Sequence, residues 1–309
     1  MGTKFEPAYR TALRSGELWE RVRQAWVGLE NCDLCPRDCH VDRRQTIKGA
    51  ACRTAERAVV ASFHPHFGEE PGLVGHGGSG TIFFSWCNLR CCFCQNYDIS
   101  QLGSGEEVDP RDIATMMLAL QARGCHNINL VSPSHVVAQI LEAVAIAAEQ
   151  GLEIPLVYNT GGYDSLASLR LLDGVVDIYM PDVKYADEAV AWRFSKVRNY
   201  PAINRAAVRE MHRQVGDLVV DGSGVALRGL LVRHLVMPNG VAGTADVVRF
   251  LAEEISRNTY LNVMDQYRPC HHAIGIAGLD RPITRAEYRE ALRLADAAGL
   301  VRVSRLIGE

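Results

Sequence analysis

The sequence predicts an α/β protein, an open, partial (β/α)6 barrel preceded by a cysteine-rich metal-binding extension. Three observations lead there. From Thr81 onward, short β-branched or aromatic runs alternate with helical patterns about six times. Residues 31–75 show no such period and are rich in Pro, Gly, His and charge. Seven of the ten cysteines fall into two groups with metal-ligand spacing.

Residues 1–30 read as a helical lead-in, with Leu13, Leu18, Val22, Trp26 and Leu29 at roughly helical spacing. The stretch from Asn31 to Gly75 reads as loop, and a cysteine-bound metal would keep it ordered without a core of its own. Thr81–Trp86 is a buried strand. Asp109-Pro110 opens a helix, because Asp caps the first free amides and Pro fits the first turn; Gly124 stops it. Asn127–Val131 is the next strand, followed by a helix capped by Ser134 and ending near Gly151. Ile154–Tyr158 and Val175–Met180 are strands, followed by helices at Asp164–Leu172 and Asp187–Phe194, and residues 200–215 are helical too. Asp221-Gly222-Ser223-Gly224 lies between Asp217–Val220 and Val225–Leu231 as a hairpin turn. Val232–Met237, a helix near Thr244–Ser256 and Tyr260–Asp265 resume the alternation. A helix near Arg285–Ala298 and a short strand at Val301–Val303 close the chain.

Six units fall short of the eight of a closed barrel, which favours an open barrel over its main rival, a doubly wound sheet. In either architecture reactive groups belong at the carboxyl ends of the strands. The chain divides into an N-terminal helix and cysteine-rich extension (1–74), a barrel core (75–270) and a C-terminal helical extension (271–309).

Composition narrows the function. A net charge of -3 gives no basic excess for nucleic acid or a membrane surface, so neither is an expected partner. No run reaches the ~18 apolar residues of a membrane span, and the polar N-terminus does not look like a secretory signal. A cytoplasmic location is expected, where cysteines serve metals more often than disulfides.

Cys32, Cys35 and Cys39 form C-x2-C-x3-C, with Cys52 thirteen residues further on. Cys87, Cys91 and Cys94 form C-x3-C-x2-C, with Cys92 beside the middle member. At this cysteine frequency a given three-cysteine spacing arises only about 0.01 times by chance. The second group directly follows the first strand of the alternation. Three thiolates can hold three corners of a [4Fe–4S] cluster and leave one iron open, much as catalytic zinc sites keep an open position. An open iron can bind and reduce a small molecule, whereas a fully ligated cluster mainly passes electrons. A non-catalytic iron–sulfur or zinc protein, serving electron transfer or scaffolding, is the alternative. For Cys32, Cys35, Cys39 and Cys52 a second iron–sulfur cluster and a structural zinc suit the four thiolates equally. Cys125 and Cys270 read as small core residues.

The segment Cys87-Asn88-Leu89-Arg90-Cys91-Cys92-Phe93-Cys94 resembles the C-x3-C-x-aromatic-C signature of the radical S-adenosylmethionine (SAM) superfamily, with Phe93 at the aromatic position. Gln95-Asn96-Tyr97 resembles the continuation found in activating enzymes of glycyl-radical proteins. The wider stretch from Gly78 to Ser100, the first cysteine group and Glu69-Glu70-Pro71 are similar to the PflX-like branch, related to pyruvate formate-lyase-activating enzymes. The resemblance implies a [4Fe–4S] cluster on Cys87, Cys91 and Cys94, with SAM chelating the open iron through its amino and carboxylate groups. Reductive cleavage would then give methionine and a 5′-deoxyadenosyl radical that abstracts hydrogen from a substrate. Asn159-Thr160-Gly161 resembles the activases' Asp-Thr-Asn-Gly loop, and Asp182-Val183-Lys184 their Asp-Leu-Lys motif, which touches SAM. Arg233 matches an arginine ahead of a Val-Pro strand end. The resemblance therefore implies cofactor binding by Asn159, Thr160, Asp182, Lys184 and Arg233. Ser132-Pro133-Ser134-His135 stands where the superfamily carries Gly-Gly-Glu, which meets the SAM amino group. The implied partners are a glycyl-radical or other protein substrate and a reductase, flavodoxin or ferredoxin as electron donor.

Overall fold

The computed structural model describes residues 5–304, so the first four residues of the expected lead-in and the last five of the C-terminal extension lie outside the described residues. Its strands are β1 (Ala58–His66), β2 (Ser79–Phe84), β3 (Glu106–Val108), β4 (Ile128–Val131), β5 (Leu156–Thr160), β6 (Ile178–Pro181), β7 (Val219–Val220), β8 (Ala226–Leu235), β9 (Tyr260–Met264) and β10 (Arg302–Ser304). The helices are α1 (Ala8–Arg14), α2 (Glu17–Val27), α3 (Pro71–Val74), α4 (Tyr97–Ser100), α5 (Pro110–Ala122), α6 (Val137–Glu149), α7 (Leu166–Leu172), α8 (Glu188–Ser195), α9 (Tyr200–Val215), α10 (Thr244–Phe250) and α11 (Arg285–Ala297).

All ten strands join one sheet in the order β10-β9-β8-β6-β5-β4-β2-β1-β3, with β7 paired to β8. From β2 to β10 the neighbours along this path are parallel, and the order follows the chain without reversing. A doubly wound sheet reverses at its switch point; this winding is that of a barrel left open. The protein is thus a mixed α/β fold with a parallel-rich sheet. The sheet also runs through the extension, the core and the C-terminal segment, since β1 and β10 both belong to it.

Several elements differ from the sequence expectation. The stretch from Asn31 to Gly75 is not all loop: it contains β1, antiparallel to both β2 and β3, and the short α3. Pro65 is tolerated in β1 because β3 pairs only with residues 58–60, leaving the outer side of the strand beyond them free of a ladder. Ser134 does not cap α6; it lies in a 3-10 turn, Pro133–His135, and Val136 precedes the helix. Val225–Leu231 and Val232–Met237 merge into one strand, β8, whose hairpin with β7 holds. Asp109 caps α5 as expected, within a reciprocal capping box with Asp112.

The helix α6 is buried almost all round, from Val137 to Ala148. Such a helix needs cover on both sides. The sheet covers one side and the lead-in covers the other: Tyr9, Leu18, Val22 and Leu29 share its core, and the Tyr9 hydroxyl donates to Ile154 O at 2.9 Å. The lead-in is also pinned by Asp177, fully buried, whose carboxylate accepts from Ala8 N at 2.9 Å and Leu156 N at 3.0 Å. Burial pushes the Asp177 carboxyl up to about 7, with those two amides opposing the shift. Since the folded value lies above the unfolded one, the linked stability is complete below about pH 4 and is lost as pH rises through about 7. Asp177→Asn is therefore expected to flatten the pH dependence of the denaturation midpoint between about pH 4 and 7. An unchanged slope in the variant would show that the carboxyl titrates normally.

Candidate active site

A cavity of about 180 Å³ opens at the carboxyl ends of β2, β4, β5, β6 and β8, where the winding brings residues from distant parts of the chain together. Cys87, Cys91 and Cys94 line it on one side. After β2 the backbone turns through Trp86, at φ 64°. The cysteine loop is then held from outside, as Arg90 N donates to Ser195 O at 3.0 Å and Cys92 N to Phe194 O at 2.8 Å, both at the end of α8. Each cavity thiol has at least one polar neighbour. Leu89 N donates to Cys87 Sγ (3.4 Å), Ser195 Oγ donates to Cys91 Sγ (3.0 Å), and Cys94 Sγ lies within hydrogen-bond distance of Ser100 Oγ, at 3.1 Å. Burial pushes the Cys91 thiol up to about 12, against the opposing charge of Lys184, and it raises Cys87 as well. Thiols in such surroundings keep their protons at neutral pH unless a metal takes the proton's place. Cys92 does not line the cavity; the cations near it are Lys196 and Arg193.

The facing wall is polar. Lys184 Nζ donates to Asp182 Oδ2 at 2.5 Å, and Arg233 Nε donates to Asp182 Oδ1 at 2.8 Å. Arg233 also donates to Asn159 Oδ1 at 2.8 Å and lies 3.8 Å from the Glu69 carboxylate. Burial alone would raise the Asp182 carboxyl, but Arg233 and then Lys184 outweigh it and hold it below the ordinary carboxylate range. Burial likewise works against the charge of Lys184, and Asp182 and Cys91 overcome it. A single carboxylate thus anchors two cations at the mouth of the sheet. All five residues expected to bind a cofactor, Asn159, Thr160, Asp182, Lys184 and Arg233, line this cavity together with the three thiols.

Further residues complete the site. Tyr200 and Asn204, one turn apart on α9, tie the loops after β5 and β6 together: the Tyr200 hydroxyl donates to Gly161 O at 2.9 Å, and Asn204 Nδ2 donates to Gly162 O and Asp182 O at 2.9 and 3.0 Å. Gly162 has φ 73°, and a Cβ there would lie 2.2 Å from both Asn204 Nδ2 and Asp182 O, so only glycine fits. Ser132, in the left-handed region at φ 59°, also lines the cavity. Behind it, Ser134 Oγ lies 2.9 Å from Thr160 Oγ1, which donates to the buried Asp164 at 2.7 Å. Ser132 belongs to the Ser132-Pro133-Ser134-His135 stretch already singled out in the sequence, and α9 was expected as a helix, but nothing local ties Tyr200 and Asn204 to the site.

Of the first cysteine group, Cys32, Cys35 and Cys52 are buried and Cys39 less so. Burial first, and then its neighbours Cys52, Cys32 and Cys39, push the Cys35 thiol up to about 12, with the Arg37 amide opposing. Among the described residues no three Cys, His, Asp or Glu side chains are gathered to hold a single ion. Cys125 is a core residue as expected, but Cys270 is only half-buried, beside His271, which stacks on Tyr97 at 4.7 Å between ring centroids. Among the described residues no helix is long and apolar enough to cross a membrane.

A family model described as "Radical SAM superfamily" matches residues 81–223. The chain is 33% identical over 282 residues to the uncharacterized protein MJ0674 of Methanocaldococcus jannaschii, an alignment spanning 88% of this chain and 76% of that protein. Among solved structures, methylornithine synthase (PylB) aligns with a TM-score of 0.48 and 15% identity, over 72% of this chain and 63% of its own. Streptococcus suis SuiB, bound to its precursor peptide SuiA, aligns with a TM-score of 0.47 and 11% identity, over 68% of this chain and 43% of its own.

Proposed function

Because the chain belongs to the radical SAM superfamily, whose members carry a [4Fe–4S] cluster and SAM, we propose that Cys87, Cys91 and Cys94 hold that cluster and that the polar wall of the same cavity binds SAM. One observation carries this reading: three thiols, one buried and two half-buried, and the Asp182–Lys184–Arg233 group line a single cavity. When bound, the cluster supplies the electron that cleaves SAM and yields a 5′-deoxyadenosyl radical for hydrogen abstraction.

The chain's own residues hold and orient. An ammonium has three donors and Lys184 gives one to Asp182, so two remain for the SAM carboxylate. Arg233, fixed by Asp182 and Asn159, adds positive charge on the same side. With the superfamily acid absent, the Ser132 hydroxyl and nearby backbone carbonyls receive the SAM amino group, while Thr160, whose hydroxyl is engaged by Asp164, Gly162 N and Ser134, shapes the wall. Leu89 and Val131 are the apolar part of the lining and exclude water from the reacting centre.

The resemblance of the segment from Cys87 to Tyr97 to activating enzymes supports a finer reading. The hydrogen donor is a glycyl-radical or other protein, and a reductase, flavodoxin or ferredoxin supplies the electrons. Anaerobic reconstitution with iron and sulfide, reduction with dithionite and incubation with SAM is expected to release 5′-deoxyadenosine. A reducible, cluster-loaded protein that neither forms it nor binds SAM would contradict the reading and favour a simple electron carrier.

A further inference from the structure

The first cysteine group lies against the second. Arg37, between Cys35 and Cys39, donates from Nε to Asn88 O at 2.6 Å, beside Cys87. In return Arg90, next to Cys91, donates to Ala51 O, next to Cys52. The two loops clamp each other, and the second contact joins Cys52 to Cys91 by peptide backbone, one hydrogen bond and one side chain.

Arg43 bears on the charge of the first group. It is 1% exposed, and its donors go to Thr54 O and His135 O at 2.7 Å, Ala55 O at 3.3 Å and Cys32 Sγ at 3.6 Å. Among the described residues no carboxylate pairs with it. A buried cation without a countercharge is costly. Four thiolates around a dipositive centre keep a net negative charge and would supply it. Ala51 N also donates to Cys39 Sγ at 3.4 Å, so thiols of this group already accept hydrogen bonds as metal-bound sulfurs do.

The spacing suits either metal, and the geometry distinguishes between them. Zinc draws its sulfurs to about 2.3 Å from one ion, and among the described residues no three of these side chains are gathered to hold a single ion. The irons of a cube sit at separate corners and take thiolates that stand further apart.

We propose that Cys32, Cys35, Cys39 and Cys52 hold a second, fully ligated [4Fe–4S] cluster that relays electrons to the centre on Cys87, Cys91 and Cys94. A low-potential one-electron donor reduces the second cluster; that cluster is reoxidised as the first gains the same electron, and no bond is made or broken. The relay rests on the function proposed above for the first centre, whereas the second cluster can be tested without it.

The test compares the full-length wild type with a variant carrying Cys87→Ala, Cys91→Ala and Cys94→Ala, both reconstituted anaerobically. Iron, sulfide and zinc are counted, and EPR spectra are recorded after dithionite reduction. The expected result is about eight irons in the wild type and about four in the variant, with the variant's cluster reducible. Spin–spin interaction between two reduced clusters should appear only in the wild type. About four irons in the wild type with none in the variant, about one zinc in both, or a second cluster that dithionite leaves oxidised would overturn the proposal. About four irons in both proteins would instead locate the only cluster at the first group, overturning the function proposed for the second group and the relay with it.

Discussion

Cys91→Ala is expected to abolish 5′-deoxyadenosine formation, while Cys92→Ala leaves it within a few-fold of wild type. The two thiols are adjacent in sequence, but only Cys91 lines the cavity, where Ser195 donates to it and Lys184 lies close enough to oppose the effect of burial on it. Loss of an outer partner of a metal ligand typically costs ~10–100-fold; loss of a ligand itself should cost more, with cluster absorbance falling in parallel. The contrast is read by measuring deoxyadenosine and iron on the same reconstituted samples. Full activity without Cys91, or cluster loss without Cys92, would mean that the cluster uses the other register of the loop.

Asp182→Ala should have the largest effect on stability. Its carboxylate is the shared partner of Lys184 and Arg233, and the three side chains keep only 13–17% of their exposure. Removing it leaves two cations facing each other in a partly buried site, for which about 3 kcal/mol is expected, the lower end of the cost of breaking a buried pair because some solvent remains. Denaturant unfolding measures this loss, and SAM binding should weaken with it. The sign with pH follows: a carboxyl held below its ordinary value contributes stability at neutral pH that is lost as pH falls through the depressed value. A loss below about 1 kcal/mol would place the group in the class of exposed ion pairs and remove Asp182 as the organiser of the polar wall.

The parts of the protein most legible in the sequence were those with a local period or a fixed spacing. Helices such as α5 announce themselves through Asp109, Pro110 and Gly124, and the parallel strands through short apolar runs. Asn159, Thr160, Asp182, Lys184 and Arg233 were grouped with the cysteine loop by the resemblance of their motifs to those of activating enzymes, and the alternation agrees, since each lies at the carboxyl end of a strand. β1 was hidden because His64, Pro65 and His66 break the apolar pattern; its partner strand, not its composition, makes it a strand. The contacts that bring Tyr200, Asn204 and Glu69 to the site were hidden for a different reason. These residues reach the site from an outer helix and an edge loop, through contacts spanning up to 164 residues between Glu69 and Arg233, which no window along the chain can contain. The left-handed turn at Ser132 is likewise imposed by its surroundings and not by its residue type.

The most direct test of the central claim is the EPR spectrum of the reduced wild-type protein with and without SAM. If the three-thiol cluster keeps an iron open toward the Asp182–Lys184–Arg233 wall, SAM must change the signal of that cluster, and Lys184→Ala must require a higher SAM concentration for the same change. A cluster signal unaltered by saturating SAM would mean that no cluster iron is open to it, and the cavity would then not be the site of SAM cleavage.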